Sequence, residues 1–135
     1  MFKRVHVFRL KPKQELMSGI ASYCDANNIY SAVVIGIIGS LEKARLNYLI
    51  GLPANFTTKE FYGHLEIVCA QGTVAMMGKE RIIHIHIQLG ELDRNEGGHL
   101  VDATIFSTAE VVLGELDYQL TRAKDDYTGL NELTI

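Results

Sequence analysis

The sequence has no tryptophan, two prolines and two cysteines in 135 residues, and no excess of positive charge. Cys24 and Cys69 do not form a Cys-x-x-Cys pair, which excludes a cysteine zinc site or a dithiol redox motif. A net charge of −3 without a run of Lys or Arg lacks the charge pattern of a nucleic-acid-binding chain. No apolar stretch reaches the roughly eighteen residues of a membrane span, and no signal core follows Met1. We therefore expect a cytoplasmic protein with no membrane partner, and DNA binding by the isolated chain is not expected.

The apolar content, 47% of residues, is sufficient for one folded domain over residues 1–135. Apolar residues at three- and four-residue spacing predict a helix over 14–26. The β-branched run at 31–38 predicts a central strand, and alternation over 44–50 predicts a second strand that pairs with it through a tight turn at 39–43. Outside these three elements the chain consists mainly of strand-like segments.

The remaining apolar segments are separated by glycine-containing or polar stretches, which predict loops at 51–60 and 90–98. The further predicted strands are 5–10, 61–69, 73–77, 81–89, 99–107 and 109–118. Seven or so strands with one clear helix predict an α+β domain, in which a mixed, mainly antiparallel sheet carries one packed helix. The polar residues from about 119 onward have no clear periodicity and predict an extended C-terminal arm.

Three histidines form the one group with chemical content. His84 and His86 alternate with isoleucines, so on a strand they share one face, and His99 follows Gly97-Gly98 at the start of the next strand. Three neutral imidazoles with an open fourth position are a recurrent arrangement for a zinc-type ion. The alternative is that these histidines form the solvent face of an amphipathic strand.

The chain resembles the plants and prokaryotes conserved domain, known as the PPC domain, and specifically its free-standing prokaryotic members. The matching stretches follow one another in order over nearly the whole chain: Arg9-Leu10, residues 31–41, Gly63-His-Leu-Glu-Ile-Val68 with Gly72, His84-Ile-His86, Gly97-Gly-His-Leu100, Thr108-Ala-Glu-Val-Val112 and Thr128-Gly-Leu130. None of these stretches is specific alone, but their ordered set is.

The resemblance implies an α+β fold and a homotrimer, and it implies no settled activity. Plant members carry AT-hook motifs that contact DNA, and this sequence has no such motif, so a DNA-binding label would be inherited from those relatives. Prokaryotic members often keep the histidines and are suspected of binding a metal ion. His64 stands where the plant motif has an arginine, which puts any role carried over to that position in doubt. The resemblance thus favours His84, His86 and His99 as metal ligands.

Two glutamates are weaker candidates for catalysis. Glu110 begins a predicted strand near the histidines and could orient an imidazole or activate water. Glu66 lies in an apolar run, where a buried ion pair with Arg9 or Arg45 is the structural alternative. His6 and His64 lie apart in the sequence and are expected to be surface residues or hydrogen-bonded core residues.

Three functions remain open from the sequence. The preferred one is a trimeric module that binds a divalent metal, most plausibly zinc, or a small ligand through His84, His86 and His99. The second is a metal-dependent hydrolase or lyase with Glu110 or Glu66 as proton carrier. The third is a DNA-associated regulatory protein, by family analogy alone.

Overall fold

The computed structural model describes all 135 residues, which form one helix and seven strands. The elements are β1 (Phe2–Leu10), α1 (Leu16–Ala26), β2 (Ala32–Gly51), β3 (Asn55–Met77), β4 (Glu80–Gly90), β5 (Asn95–Leu116), β6 (Arg122–Lys124) and β7 (Asn131–Leu133). The α1 helix starts after Glu15, whose carboxylate accepts hydrogen bonds from the backbone N–H groups of Met17 and Ser18. With 11 residues, α1 is too short to cross a membrane.

Five strands form one antiparallel sheet in the order β1-β5-β2-β3-β4. The first part of β5 also pairs with β4, so β2, β3, β4 and β5 form a closed ring of hydrogen-bonded strands. The predicted sheet with one packed helix is confirmed as mainly antiparallel. Parallel pairing is limited to one isolated bridge between Met76 and Thr121.

The predicted hairpin over residues 31–50 is wrong, because β2 runs without a turn from Ala32 to Gly51. Gly39 was part of the predicted turn, but it bends the strand instead. Its φ is 154°, and a Cβ there would lie 1.8 Å from the carbonyl oxygen of Thr108 in β5. Register shifts follow between Gly39 and Leu41 and again before Lys43, so extra residues are absorbed as bulges and β2 keeps its neighbours on both sides.

The predicted loops at 51–60 and 90–98 are also wrong, since only residues 52–54 and 91–94 connect strands there. Residues 55–60 are all exposed, so no burial pattern marks them as strand. Likewise 61–69 and 73–77 are parts of β3, and 99–107 and 109–116 are parts of β5. At Gly72 a Cβ would lie 2.0 Å from the carbonyl oxygen of His84, so this glycine permits β3 to continue close beside β4.

The core lies between α1 and the inner face of the sheet and contains 25 buried apolar residues. Leu16, Ile20 and Cys24 form the buried stripe of α1, each with no exposed surface. Each leucine or isoleucine so buried contributes about 1.5–3 kcal/mol of transfer free energy.

The C-terminal segment, predicted as an extended arm, pairs with itself and with β3. Its strands β6 and β7 form a two-stranded antiparallel sheet. The Met76 N–H of β3 donates to the carbonyl oxygen of Leu120, and Thr134 N–H donates to that of Thr121. These bonds fix the segment beside the face of β4 that carries the histidines.

Candidate metal centre

Strand β4 presents two histidines on one face. Side chains alternate along a strand, so Ile85 and Ile87 enter the core with exposures of 0% and 3%, and His84 and His86 point the opposite way. Because a one-residue slip would exchange these faces, burial of the isoleucines fixes the direction of both imidazoles. The face shared by His84 and His86, as predicted from the sequence, is therefore observed.

The third histidine comes from β5. His99 lies directly opposite His86 in the β4–β5 ladder. Gly97, one strand position before Gly98, faces Gln88, and a Cβ at Gly97 would lie 2.4 Å from the Gln88 Oε1 atom. The glycine pair lies within β5, where the sequence predicted a loop; Gly97 faces β4, whereas a Cβ at Gly98 would lie 3.0 Å from the Tyr48 ring of β2.

The three imidazoles are mutual neighbours. Ring centroids are 5.1 Å apart for His84 and His86, 4.9 Å for His84 and His99, and 5.5 Å for His86 and His99. One ring nitrogen of each lies within 4.8 Å of those of the other two. In a tetrahedral zinc site two nitrogens about 2.1 Å from the ion are about 3.4 Å apart, so the imidazoles would move closer by up to about 1.4 Å to share one ion. The donor set therefore fits a zinc-type ion.

The protonation equilibria favour the ligand form of the rings. Burial, together with smaller repulsive contributions from His99, His86 and Arg122, lowers the pKa of His84 from 6.5 to about 4. Burial also lowers the pKa of His99, with a smaller effect from His86. Neutral imidazoles have a free nitrogen lone pair, so His84 and His99 can bind a cation at neutral pH without first losing a proton.

An arginine of the C-terminal sheet lies beside this cluster. Arg122 in β6 is 8% exposed, and its Nη1 donates to the carbonyl oxygen of Asn131 at 2.7 Å. Its Nη2 donates to Thr73 Oγ1 at 2.8 Å and lies 3.5 Å from His84 Nδ1. Its Nε has no hydrogen-bond partner. The site therefore combines three imidazoles with one buried guanidinium.

The histidines and Arg122 line a cavity of about 630 Å³. Its apolar wall includes Leu49, Phe56, Ile82, Ile83 and Leu130. Glu132 from β7 is the one carboxylate among its lining residues. A volume in this range, with an apolar wall and a few polar groups, is typical of small-molecule sites.

The sequence profile of the Plants and Prokaryotes Conserved (PCC) domain matches residues 1–117, which include all three histidines. The chain belongs to the PCC domain family. This is the family abbreviated PPC above, and the resemblance derived from the ordered motifs is confirmed.

Similar proteins agree with this assignment. A structure of the metal-containing protein AF0104 from Archaeoglobus fulgidus is 27% identical, with a TM-score of 0.90 over 100% of this chain and 96% of that one. A PPC protein from Pyrococcus horikoshii has 23% identity and a TM-score of 0.90, over 100% and 94% of the two chains, and shows the shared fold. The bifunctional protein GlmU of Synechococcus sp. (strain JA-3-3Ab) is 31% identical over 98% of this chain, which spans 20% of that protein.

In this PCC domain Glu110 is distant from the histidines along β5. It is exposed and lies opposite Arg9 of β1 and Ile38 of β2. Eleven residues of strand separate it from His99, a path of about 36 Å at 3.3 Å per residue. The structure does not bring Glu110 into the cavity, because β5 is one long strand where the sequence predicted two short ones.

Glu66 is likewise exposed and lies opposite Gly90 of β4. The buried ion pair suggested for it is absent, since Arg45 pairs with Asp102 and Arg9 donates to Thr108 Oγ1. Glu66 does not line the histidine cavity.

The two other histidines lie outside the cluster, as expected. His6 is buried, with Nε2 2.8 Å from a carboxylate oxygen of Glu115 and Nδ1 3.0 Å from the Tyr23 hydroxyl. His64 is exposed and its ring centroid lies 5.2 Å from that of Phe106. His6 is thus a hydrogen-bonded core residue and His64 a surface residue.

The sequence analysis missed two residues of the cavity, Arg122 and Glu132. Both lie in three-residue strands, which are too short to show alternation. The only signal was their position in the polar C-terminal segment, and that segment was interpreted as an arm.

Proposed function

We propose that the protein is a trimeric PCC-domain module that binds one divalent ion per chain through His84, His86 and His99, with zinc as the ion. The convergence of the three ring nitrogens within 4.8 Å carries this proposal. The similar protein from A. fulgidus is described as metal-containing, which supports the proposal. The alternative, in which the histidines are only the solvent face of an amphipathic strand, does not explain why imidazoles from two strands meet beside a cavity.

Zinc is favoured by the ligand chemistry. Neutral imidazole suits zinc, as it does copper, iron and nickel, whereas calcium and magnesium prefer oxygen ligands, and three histidines with an open position are a recurrent zinc arrangement. A bound zinc ion would supply Lewis acidity and an open coordination position for a small ligand. The residues of this chain would hold the ion and, through the cavity wall, limit access of bulk water to it.

The test is zinc stoichiometry in tag-free protein. His84→Ala is expected to reduce bound zinc from about one ion per chain to a small fraction, because three imidazoles then become two. His64→Ala is the matched control, since it removes an exposed histidine outside the cluster. Elemental analysis after zinc loading and desalting gives the stoichiometry. Wild-type protein without retained zinc, or His84→Ala with full retention, would refute the metal site.

An exposed apolar area on the outer face of the sheet supports the trimer. Val5 and Val7 of β1 are 49% and 69% exposed, and Ile38 of β2 is 65% exposed. Val7 lies opposite Val112 of β5 in the register, so β1 and β5 carry neighbouring apolar side chains, whereas Ile38 of β2 lies opposite Glu110 of β5. Exposed apolar surface of this kind is covered in many proteins by a partner, and a further copy of the chain is the partner proposed here.

Light scattering at micromolar concentration is expected to give the mass of three chains of 15.1 kDa each. Val7→Asp is expected to lower that mass, because it places a charge within the apolar surface. Leu92→Asp is the control, since Leu92 is fully exposed in the turn between β4 and β5. A wild-type protein with the mass of one chain would refute the trimer.

A metal-dependent hydrolase or lyase is the second candidate, and the cavity beside the histidines favours it. Glu132 is the carboxylate placed to carry a proton, since Glu110 and Glu66 lie outside the cavity. A screen of small ester, amide and hydroxy-acid substrates with and without zinc tests this function. Turnover that requires zinc and is lost in Glu132→Gln would support it, and no zinc-dependent turnover would refute it for those substrates.

A further inference from the structure

The guanidinium of Arg122 is buried and forms no salt bridge, although burial, which lowers its pKa, is slightly offset by the nearby carboxylate of Glu132. Arg122 takes part in none of the ion pairs of the chain. Its two nearest acceptors, the Asn131 carbonyl oxygen and Thr73 Oγ1, are both neutral. A guanidinium has five N–H donors, and the Nε donor is buried without any acceptor. A charge removed from water with this little compensation is costly unless a ligand supplies an anion.

The other shielded arginines of the protein show the contrast. Arg81, with a 12% exposed side chain, pairs with Asp25. Arg45 pairs with Asp102, although its side chain is 42% exposed and its own Nε also has no hydrogen-bond partner. Arg122 is more deeply buried than Arg45 and forms no salt bridge, so its missing partner is not a general property of arginines in this fold.

The position of Arg122 indicates where the anion would bind. Its Nη2 lies 3.5 Å from His84 Nδ1, and both residues line the cavity of about 630 Å³. The one carboxylate of the cavity, Glu132, interacts with the Thr128 hydroxyl at 3.3 Å and forms no ion pair with Arg122. A divalent ion on the three imidazoles would add two positive charges to the same cavity, which increases the need for an anion.

The cavity also indicates the class of anion. Without the ion, a single guanidinium, one nearby Glu132 and no lysine among the lining residues suit a monoanion better than a phosphate dianion. Leu49, Phe56 and Ile82 provide an apolar wall for the rest of the molecule. The planar guanidinium of Arg122 lines the cavity, and a guanidinium suits the two oxygens of a carboxylate.

We propose that the cavity binds a small organic carboxylate with an apolar body, whose carboxylate group pairs with Arg122 and faces the histidine cluster. The proposal deepens the proposed metal site and rests on it for the charge of the ion, whereas the contact with Arg122 stands on the geometry of the protein alone. The ligand that the domain takes is thus an apolar carboxylic acid.

The experiment is calorimetric titration of zinc-loaded and zinc-free protein with hexanoate and with the neutral hexanamide. Hexanoate is expected to bind wild-type protein at one site per chain and at least about tenfold more tightly than hexanamide, because only the carboxylate pairs with the guanidinium. Arg122→Gln is expected to lose that preference and to keep its zinc. Lys124→Gln is the matched control, since it removes an exposed positive charge from the same strand and is expected to bind hexanoate as wild type does.

Glu132→Gln provides a second test that does not remove a buried charge. It is expected to raise hexanoate affinity severalfold, because it removes the one negative charge of the cavity wall. Equal binding of hexanoate and hexanamide by wild type, or no effect of both Arg122→Gln and Glu132→Gln, would overturn the carboxylate proposal. Elemental analysis of the same samples tests the metal site separately, and hexanoate selectivity in zinc-free protein decides the role of Arg122 even where zinc is not retained.

Discussion

Replacing His84 by Gln is expected to make the metal-free protein less sensitive to acid. The folded pKa of His84 is about 4, below the 6.5 of an unperturbed histidine. Above about pH 6.5 the ring is neutral in both the folded and the unfolded chain, so it contributes no pH dependence there. Below that pH the unfolded chain takes up the proton first. Stability is therefore lost progressively as the pH falls from about 6.5 toward 4.

The magnitude follows from the size of the shift. The full difference of about 2.5 between the two pKa values corresponds to about 3.4 kcal/mol, of which about 2 kcal/mol is lost by about pH 5. The ring is only half-buried, so solvent screening reduces the effect and we expect about 1 kcal/mol. His84→Gln cannot titrate and lacks this loss. The remaining titrating groups are common to both proteins.

The assay is urea unfolding with chelator present, at about pH 7.5 and about pH 5, for wild type and His84→Gln. The stability lost between the two pH values should be about 1 kcal/mol smaller for the variant. His64→Gln is the control and should lose as much as wild type, since His64 is exposed and outside the cluster. Equal losses for wild type and His84→Gln would refute the argument that burial keeps this imidazole neutral.

Three further predictions address the fold and its partners. Gly72→Ala should destabilise the protein by about 1–3 kcal/mol and weaken zinc binding, because its Cβ would lie 2.0 Å from the carbonyl oxygen of His84. Gly36→Ala is the control and should have neither effect, since the space around Gly36 is open. Urea unfolding gives the stability of both variants and zinc titration gives their zinc affinity. Equal values for the two variants would contradict the close approach of β3 to β4 at Gly72. Glu115→Gln should lower the free energy of unfolding by about 1–3 kcal/mol, since the Glu115 carboxylate lies 2.8 Å from Nε2 of buried His6. An unchanged urea midpoint would contradict this prediction. The chain should not bind mixed-sequence duplex DNA measurably at about 150 mM salt, because a net charge of −3 releases few counterions, and submicromolar binding in a mobility assay would disprove this.

Part of this protein could be predicted from local sequence. Alternation of isoleucine and histidine along β4 fixed which side chains share a face, because a strand has a period of two and the apolar side must be buried. The apolar spacing in 14–26 likewise predicted α1, within two residues at its start. Both features depend only on residues close together in the chain.

Strand length and the make-up of the cavity depended on tertiary structure. Gly39 and Gly72 look like turn residues in the sequence, but each lies inside a long strand because a carbonyl oxygen of the neighbouring strand occupies the space of its Cβ. Arg122 joined the histidines only through packing of the C-terminal sheet on β3, which local periodicity does not encode. The sequence alone determined which face of β4 carries His84 and His86, and the long-range pairing of strands decided that His99 and an arginine without a salt bridge meet them there.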